Sequence, residues 1–371
     1  MIQFLQNFSP EDHLVIWLIG AFLMAFFISY STFPTILYVT KQKHLFDEPD
    51  NRSMHSSKVP TLGGIGIFFS LVVVITIVGA LLNTKILLLV LGAQTILFFL
   101  GLKDDLTVLS ARKKFFGQLL AALLLIIFTD TRIIGFSKIL DVDILPYWVS
   151  VIFTLFVYIL IVNAYNLIDG IDGLAGTIGL LASGVFVLLF VKAEEYSLAT
   201  VAVALMGALI AFLRLNFSSK NKIFMGDTGS MIVGFLLAFF TISFIYKAQT
   251  DVLAQYHKAA PALALAILFY PLMDTFRVFF IRIFILKVSP FKADKNHIHH
   301  RFIDHGFSHL STTLIIVLLN LLIIFIAFNC LGWNLNTQIF ALLGYGSVLY
   351  CLPFLAKKKL VSKPFSRELK V

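Results

Sequence analysis

Residues 148 to 176 read WVSVIFTLFVYILIVNAYNLIDGIDGLAG: an uncharged apolar run that closes on two aspartates set among glycines. A run of about 20 apolar residues is what a helix needs to cross the hydrocarbon core of a bilayer. Asp169 and Asp172 lie three apart, a spacing that shares one face if the helix continues. The two Asp-Gly pairs instead favour a helix break and a tight turn. Either way, both carboxylates enter one small region where an apolar segment ends.

The rest of the chain repeats this pattern. It has 371 residues, of which 59% are hydrophobic and 13% charged, with a mean hydropathy of +0.93. So few charges could not cover a soluble globule of that size. Apolar segments fall near 14–37, 61–82, 86–102, 115–129, 148–168, 174–191, 198–215, 228–246, 259–286, 310–330 and 337–355. The reading is an all-α integral membrane protein, a polytopic bundle of about eleven transmembrane helices. The first thirteen residues hold no Lys or Arg, so the first apolar run lacks a basic leader and is expected to stay as an anchor. Cys330 and Cys351 sit in apolar runs near opposite membrane ends and read as small core residues.

Most of the 29 Lys and Arg lie in or flank the loops after the odd-numbered segments and in the tail 356–371, which carries Lys357, Lys358 and Lys359. The positive-inside rule then puts the C-terminus in the cytoplasm and the N-terminus outside. The sequence pI near 9.4 suits anionic headgroups. No folded nucleic-acid module is recognisable, so no nucleic-acid partner is expected. Without linkers, low-complexity tracts or repeats, residues 1–371 read as one domain.

Five loops rich in acids, glycine and histidine share the cytoplasmic side of this topology. They are DEPDNRSMHSSKVPTLGG (47–64), GLKDDLTVLSARKKFFGQ (101–118), NLIDGIDGLAG (166–176), NKIFMGDTGS (221–230) and FKADKNHIHHRFIDHG (291–306). Their convergence predicts a composite site between helix ends. Asp104 and Asp105 are neighbours that a helix projects about 100° apart, which predicts separate tasks. Asp227 either caps the eighth helix or serves as a ligand. Clustered carboxylates repel unless a cation resolves the conflict. Hard oxygen donors without cysteine select Mg²⁺, Mn²⁺ or Ca²⁺ over zinc. His297, His299 and His300, beside Lys292, Lys295 and Arg301, read as donors to an anionic substrate rather than as a zinc cluster. In the first loop, Lys58 and Thr61 lead into Gly63 and Gly64, which suit either close helix packing or backbone approach to a phosphate. The ninth segment holds Pro271, with Asp274, Arg277 and Arg282 beyond it, and predicts a kinked helix in which Asp274 and Arg277 can pair.

In this order and on one face, the motifs resemble those of the polyprenyl-phosphate N-acetylhexosamine-1-phosphate transferases over about residues 30–310. The likeness is greatest to the bacterial branch that moves GlcNAc-1-phosphate from UDP-GlcNAc onto undecaprenyl phosphate. The phospho-MurNAc-pentapeptide transferases belong to the same superfamily. The resemblance implies a phosphotransferase of the bacterial cytoplasmic (inner) membrane, with its site on the cytoplasmic face. It would release UMP, leave a lipid-diphosphate-linked sugar, and begin lipopolysaccharide, teichoic acid or capsule synthesis. Implied partners are a UDP-sugar, a polyprenyl phosphate and the bilayer, with a homodimer compatible. The implied cofactor is Mg²⁺, with Mn²⁺ as a substitute.

Residue by residue, Asp104 and Asp105 match the aspartate-rich signature and would activate the lipid phosphate. Asn166, Asp169 and Asp172 match the Asn-x-x-Asp-Gly-x-Asp-Gly block of catalysis and nucleotide binding. Asp227, with Asp169, would hold the metal. His297, His299, His300 and Arg301 would face the sugar diphosphate, and Lys58 and Thr61 the nucleotide. The third acid common after the paired aspartates is replaced here by Leu106, Thr107 and Val108. The order His-Ile-His-His, rather than three consecutive histidines, favours GlcNAc over MurNAc-pentapeptide; another UDP-N-acetylhexosamine is the alternative donor. An ion-coupled secondary transporter is the alternative from another class, and it predicts acids near the middle of spans.

Overall fold

The computed structural model describes residues 10–43, 45, 59–82, 84–139, 142–250, 253, 256–289 and 296–355. Lys58, Lys292, Lys295 and the basic tail 356–371 lie outside the described residues. Helices occupy every apolar segment read from the sequence: α1 (Pro10–Gln42), α2 (Gly63–Leu82), α3 (Lys85–Leu106), α4 (Ala111–Thr129), α5 (Tyr147–Leu167), α6 (Leu174–Lys192), α7 (Tyr196–Asn216), α8 (Gly226–Gln249), the bent pair α9 (Ala260–Ile267) and α10 (Phe269–Phe280), the short α11 (Ile298–Asp304), α12 (His309–Asn329) and α13 (Leu335–Leu355). Among the described residues, eight helices are long and apolar enough to cross a membrane, or nine if the bent pair counts as one span. The protein is a polytopic, helical membrane protein. One departure from all-α is a small antiparallel hairpin after α4, β1 (Gly135–Ile139) with β2 (Val142–Ile144). The Gln249 side chain at the end of α8 seals it, accepting from the Ile134 N–H at 2.9 Å and donating to the Gly135 carbonyl at 2.7 Å.

The apolar length of α8 is wholly buried, so this helix forms the centre, whereas α1 lies at the periphery with little of its length covered. At the start of α8 the neighbouring helices touch backbone to backbone. A Cβ on Gly101 of α3 would come within 2.5 Å of the Thr228 Cα, and one on Gly64 of α2 within 2.2 Å of the Gly229 nitrogen. The Gly63 and Gly64 N–H groups donate to the carbonyls of Phe224 and Met225 at 3.0 and 2.9 Å. These glycines therefore serve close packing, and their N–H groups are not free for a phosphate.

The ninth segment bends by 81° between α9 and α10. The break falls at Leu268, three residues before Pro271. Proline has no N–H for the Ile267 carbonyl and its ring clashes there, so the chain departs from the helix one turn earlier. Asn320 of α12, fully buried, repairs the gap. Its amide donates to the Ile267 carbonyl at 3.1 Å and reaches the Ala266 carbonyl at 3.5 Å, while its Oδ1 accepts from the Tyr270 N–H at 2.9 Å. Asn320→Leu leaves these groups unsatisfied in an apolar surrounding, at about 1–3 kcal/mol. Thermal unfolding in detergent will show an apparent Tm several degrees below wild type, and an unchanged Tm would contradict the bridging role.

Candidate active site

The predicted acids meet where α3 and α5 end and where α4, α6 and α8 begin. Asp104 and Asp105 face different partners. The Asp105 carboxylate accepts from the Asp227 N–H at 2.7 Å, the Thr228 N–H at 3.0 Å and the Thr228 hydroxyl. A side chain of α3 thus caps α8, whose first N–H groups and positive dipole end favour a carboxylate. That leaves Asp227 free of capping. Its Oδ1 accepts from the Asn166 amide at 2.6 Å, and its Oδ2 lies 3.4 Å from the Lys114 ammonium. Asn166 also donates to Ser230 at 2.7 Å. Lys114, in the first turn of α4, forms a second ion pair with Asp104. The other Asp104 oxygen accepts from the Leu109 N–H at 2.6 Å.

Between α5 and α6 the chain turns, as the Asp-Gly pairs predict: α5 stops at Leu167 and α6 starts at Leu174. Asp172 is held in that turn from two sides. Its Oδ2 takes the Lys222 ammonium at 2.6 Å and His309 Nδ1 at 2.8 Å, and its backbone carbonyl accepts from the Thr313 hydroxyl at 2.9 Å. Burial pushes the Asp172 carboxyl up, but the hydrogen bonds and charges of His309 and Lys222 outweigh it and hold the group below the ordinary carboxylate range. Asp169 is the opposite case. Among the described residues its carboxylate has no hydrogen-bond or ion-pair partner. Burial first, then the charges of Asp227, Asp105 and Asp172, push it up to about 7.

The histidine loop hangs from α10 and rests on this turn. His297 Nδ1 lies 2.6 Å from the Asp274 carboxylate, which also accepts from the Ile298 N–H at 2.7 Å. Arg277 donates to the Asn296 carbonyl at 2.6 Å. Asp274 and Arg277, whose spacing would also allow them to pair, each hold this loop instead. His299 Nδ1 meets the Tyr270 hydroxyl at 3.1 Å, and its buried Nε2, without a hydrogen-bond partner among the described residues, packs on Gly170 so closely that a Cβ there would lie 2.6 Å away. Burial, reinforced by His300, His297 and His309 and only partly opposed by Asp274, pushes His299 down to about 3. The ring is neutral at physiological pH. The His300 ring lies beside it at a tilt of 46°, ring centres 4.4 Å apart, and Arg301 follows on the same short helix.

The structure thus gathers Asp104, Asp105, Asn166, Asp169, Asp172, Asp227 and His299 into one region. Thr61 borders it through its backbone carbonyl beside Gly226. Lys114, Lys222, His309, Tyr270 and Asp274 have parts that sequence reading does not assign. Lys114 and Lys222 lie inside quoted motifs, yet a loop lysine carries no signal of which acid it faces. His309 opens α12, three residues past the histidine loop 291–306. Among the described residues no three His, Cys, Asp or Glu side chains form a metal cage. An unpartnered carboxylate beside Asp227 is a donor set of hard oxygens, and such a set suits a cation that takes only one or two protein carboxylates.

A sequence profile of glycosyl transferase family 4 matches residues 87–245. A Bacillus subtilis protein named probable undecaprenyl-phosphate N-acetylglucosaminyl 1-phosphate transferase is 29% identical over 317 residues, covering 83% of each chain. The decaprenyl-phosphate N-acetylglucosaminephosphotransferase of Mycobacterium tuberculosis is 31% identical over 293 residues, 73% of this chain and 72% of its own. The undecaprenyl-phosphate alpha-N-acetylglucosaminyl 1-phosphate transferase of Escherichia coli K12 is 28% identical over 286 residues, 76% of this chain and 75% of its own. The burial of His299 carries its own test: in ¹⁵N-histidine NMR of the detergent-solubilised protein, that ring stays neutral from pH 8 to pH 5. A ring titrating near the ordinary 6.5 would contradict the packing described.

Proposed function

The chain belongs to glycosyl transferase family 4, and from that premise we propose that it transfers GlcNAc-1-phosphate from UDP-GlcNAc to undecaprenyl phosphate, releasing UMP. The observation that carries this reading is the unpartnered Asp169 among three other acids, in a chain whose relatives are named as N-acetylglucosamine-phosphate transferases of undecaprenyl or decaprenyl phosphate. The lipid phosphate oxygen attacks the β-phosphorus of the donor, and the bond to UMP breaks. Such a transfer depends on positioning and charge neutralisation more than on covalent chemistry.

Asp104, Asp105 and Asp172 all have engaged carboxylates, so we assign them positioning parts. Asp105 sets the start of α8, Asp104 and Lys114 steady Asp227, and Lys222 with His309 fix the turn that carries Asp169. Asp169 is left to contact the reacting phosphates. His299, held at Nδ1 by the Tyr270 hydroxyl and packed through Nε2 on Gly170, positions the turn that carries Asp169. The expected cofactor is Mg²⁺, with Mn²⁺ as a substitute; held by Asp227 and Asp169, it would supply neutralisation of diphosphate charge. Arg301, His297, His300, Thr61 and Lys58 complete the donor side of the proposal.

The proposal also takes the molecule as a multi-pass enzyme of the bacterial cytoplasmic membrane, a single domain compatible with a homodimer. It has eleven crossings, the N-terminus outside, and the site on the cytoplasmic face. The loop charges support this orientation, and α4 and α13 supply the two crossings beyond the nine. A soluble donor and a lipid acceptor can meet only at such a surface. Nothing in the comparisons points to transport, and the acids gather at one end of the bundle rather than midway along it.

Purified protein given undecaprenyl phosphate, Mg²⁺ and UDP-GlcNAc will release UMP. Asp169→Asn and Asp227→Asn will each lower that rate by about 100-fold or more, and EDTA will abolish it. Release only with another UDP-N-acetylhexosamine or with UDP-MurNAc-pentapeptide would overturn the donor; none from folded protein with any UDP-sugar would overturn the transferase. A second expectation follows from the position of Asp169 near 7. In the free protein this carboxyl holds a proton below that pH, and a cation must displace it. Burial, with Asp104 beside it, also pushes Asp227 up to about 7. Mn²⁺ affinity, followed by electron paramagnetic resonance, will therefore fall below pH 7 by about tenfold per unit for each of the two carboxyls and level off above it. A flat profile would remove both carboxyls from the cation site, and a wild-type slope in Asp169→Asn would remove Asp169.

A further inference from the structure

A groove of about 440 Å³ opens between the last turns of α1 and α7, at the same end of the bundle as the acids. Phe33 and Leu37 form its apolar wall, while Tyr30, Lys41, Arg214 and Asn221 supply polar groups. Lys41 and Arg214 are both exposed, and among the described residues neither has a hydrogen bond or an acidic partner. The Arg214 guanidinium lies over the Tyr30 ring, 4.6 Å from its centre. Stacking fixes the plane of the guanidinium and leaves its edge N–H groups to face a ligand. The dipoles of α1 and α7 account for cations at two helix ends. They do not account for a groove between those ends with an apolar wall and aromatic support.

We propose that this groove binds the phosphate of an anionic bilayer phospholipid, with an acyl chain lying against Phe33 and Leu37. Two unpaired cations at the end of apolar helices complement a phosphodiester at headgroup depth. The acceptor lipid is a poorer fit, because a phosphate here would not reach the acids. Asn221 lines the groove, but its neighbour Lys222 reaches the other way to Asp172, so the α7–α8 loop stands between. The proposal is independent of which reaction the acids perform.

The test uses the full chain, delipidated in a neutral detergent and followed by native mass spectrometry. The additions are phosphatidylglycerol, phosphatidylcholine, undecaprenyl phosphate or inorganic phosphate. Phosphatidylglycerol is expected to fill one site with a Kd at least tenfold below that of phosphatidylcholine. Lys41→Gln with Arg214→Gln will erase that preference, and Arg214→Lys alone will keep most of it. Thermal unfolding shows whether the double variant is folded; if it is not, the wild-type headgroup comparison and Arg214→Lys decide. Four results would overturn the proposal: a double variant that keeps the preference, no headgroup preference in wild type, displacement of phosphatidylglycerol by equimolar undecaprenyl phosphate, or variants that change only the number of protomers.

Discussion

The contact on which the site depends is that between the Asp105 carboxylate and the first N–H groups of α8. A helix start buried among other helices cannot leave its N–H groups unanswered, and here no side chain of α8 itself answers them. Asp105 does so from α3, which is possible only because Gly101, one turn earlier, lets α3 approach the Thr228 backbone. The cap and the close packing require each other. Together they free Asp227 to turn its carboxylate toward Asn166 and Lys114 rather than back onto its own helix.

The acids then divide by what surrounds them. Against their burial, Asp104 and Asp172 have donors that hold the carboxyl below the ordinary carboxylate range, while burial pushes Asp105 up to about 6 against its own donors, so all three are negative at neutral pH around Asp169. Asp169 has none, and the neighbouring charges and its burial act on it in the same direction. Asp227, which burial and Asp104 also push up to about 7, shares that situation, so a cation between the two relieves both. The chemistry of the site is thus concentrated by the pairing of the acids that do not perform it.

Much of this was legible in the sequence because charge is so rare in an apolar chain. The break after Leu167, the separate tasks of Asp104 and Asp105, and the convergence of the 101–118, 166–176 and 221–230 loops all follow from apolar length and Asp-Gly chemistry. The partners did not follow. That Lys114 faces Asp104 and Asp227, or that Lys222 and His309 both face Asp172, depends on how separate helices are placed side by side. The hairpin at 135–144 was missed because two short strands sealed by a glutamine carry no periodicity long enough to recognise. The kink itself follows from Pro271, and its place at Leu268 from proline's action on the carbonyl four residues before it.

That bend bears on the site more directly than its distance suggests. Tyr270, Asp274 and Arg277 all belong to α10, and they hold His299, His297 and Asn296 respectively. The direction of α10 after its 81° turn therefore fixes where the histidine loop meets the Asp169–Asp172 turn. Asn320 sets that direction by binding both sides of the break. A buried amide in the apolar core and a histidine ring pressed against Gly170 are successive parts of one mechanical chain. Gly170 lacks a side chain where that chain ends, so the ring can lie against the backbone beside Asp169.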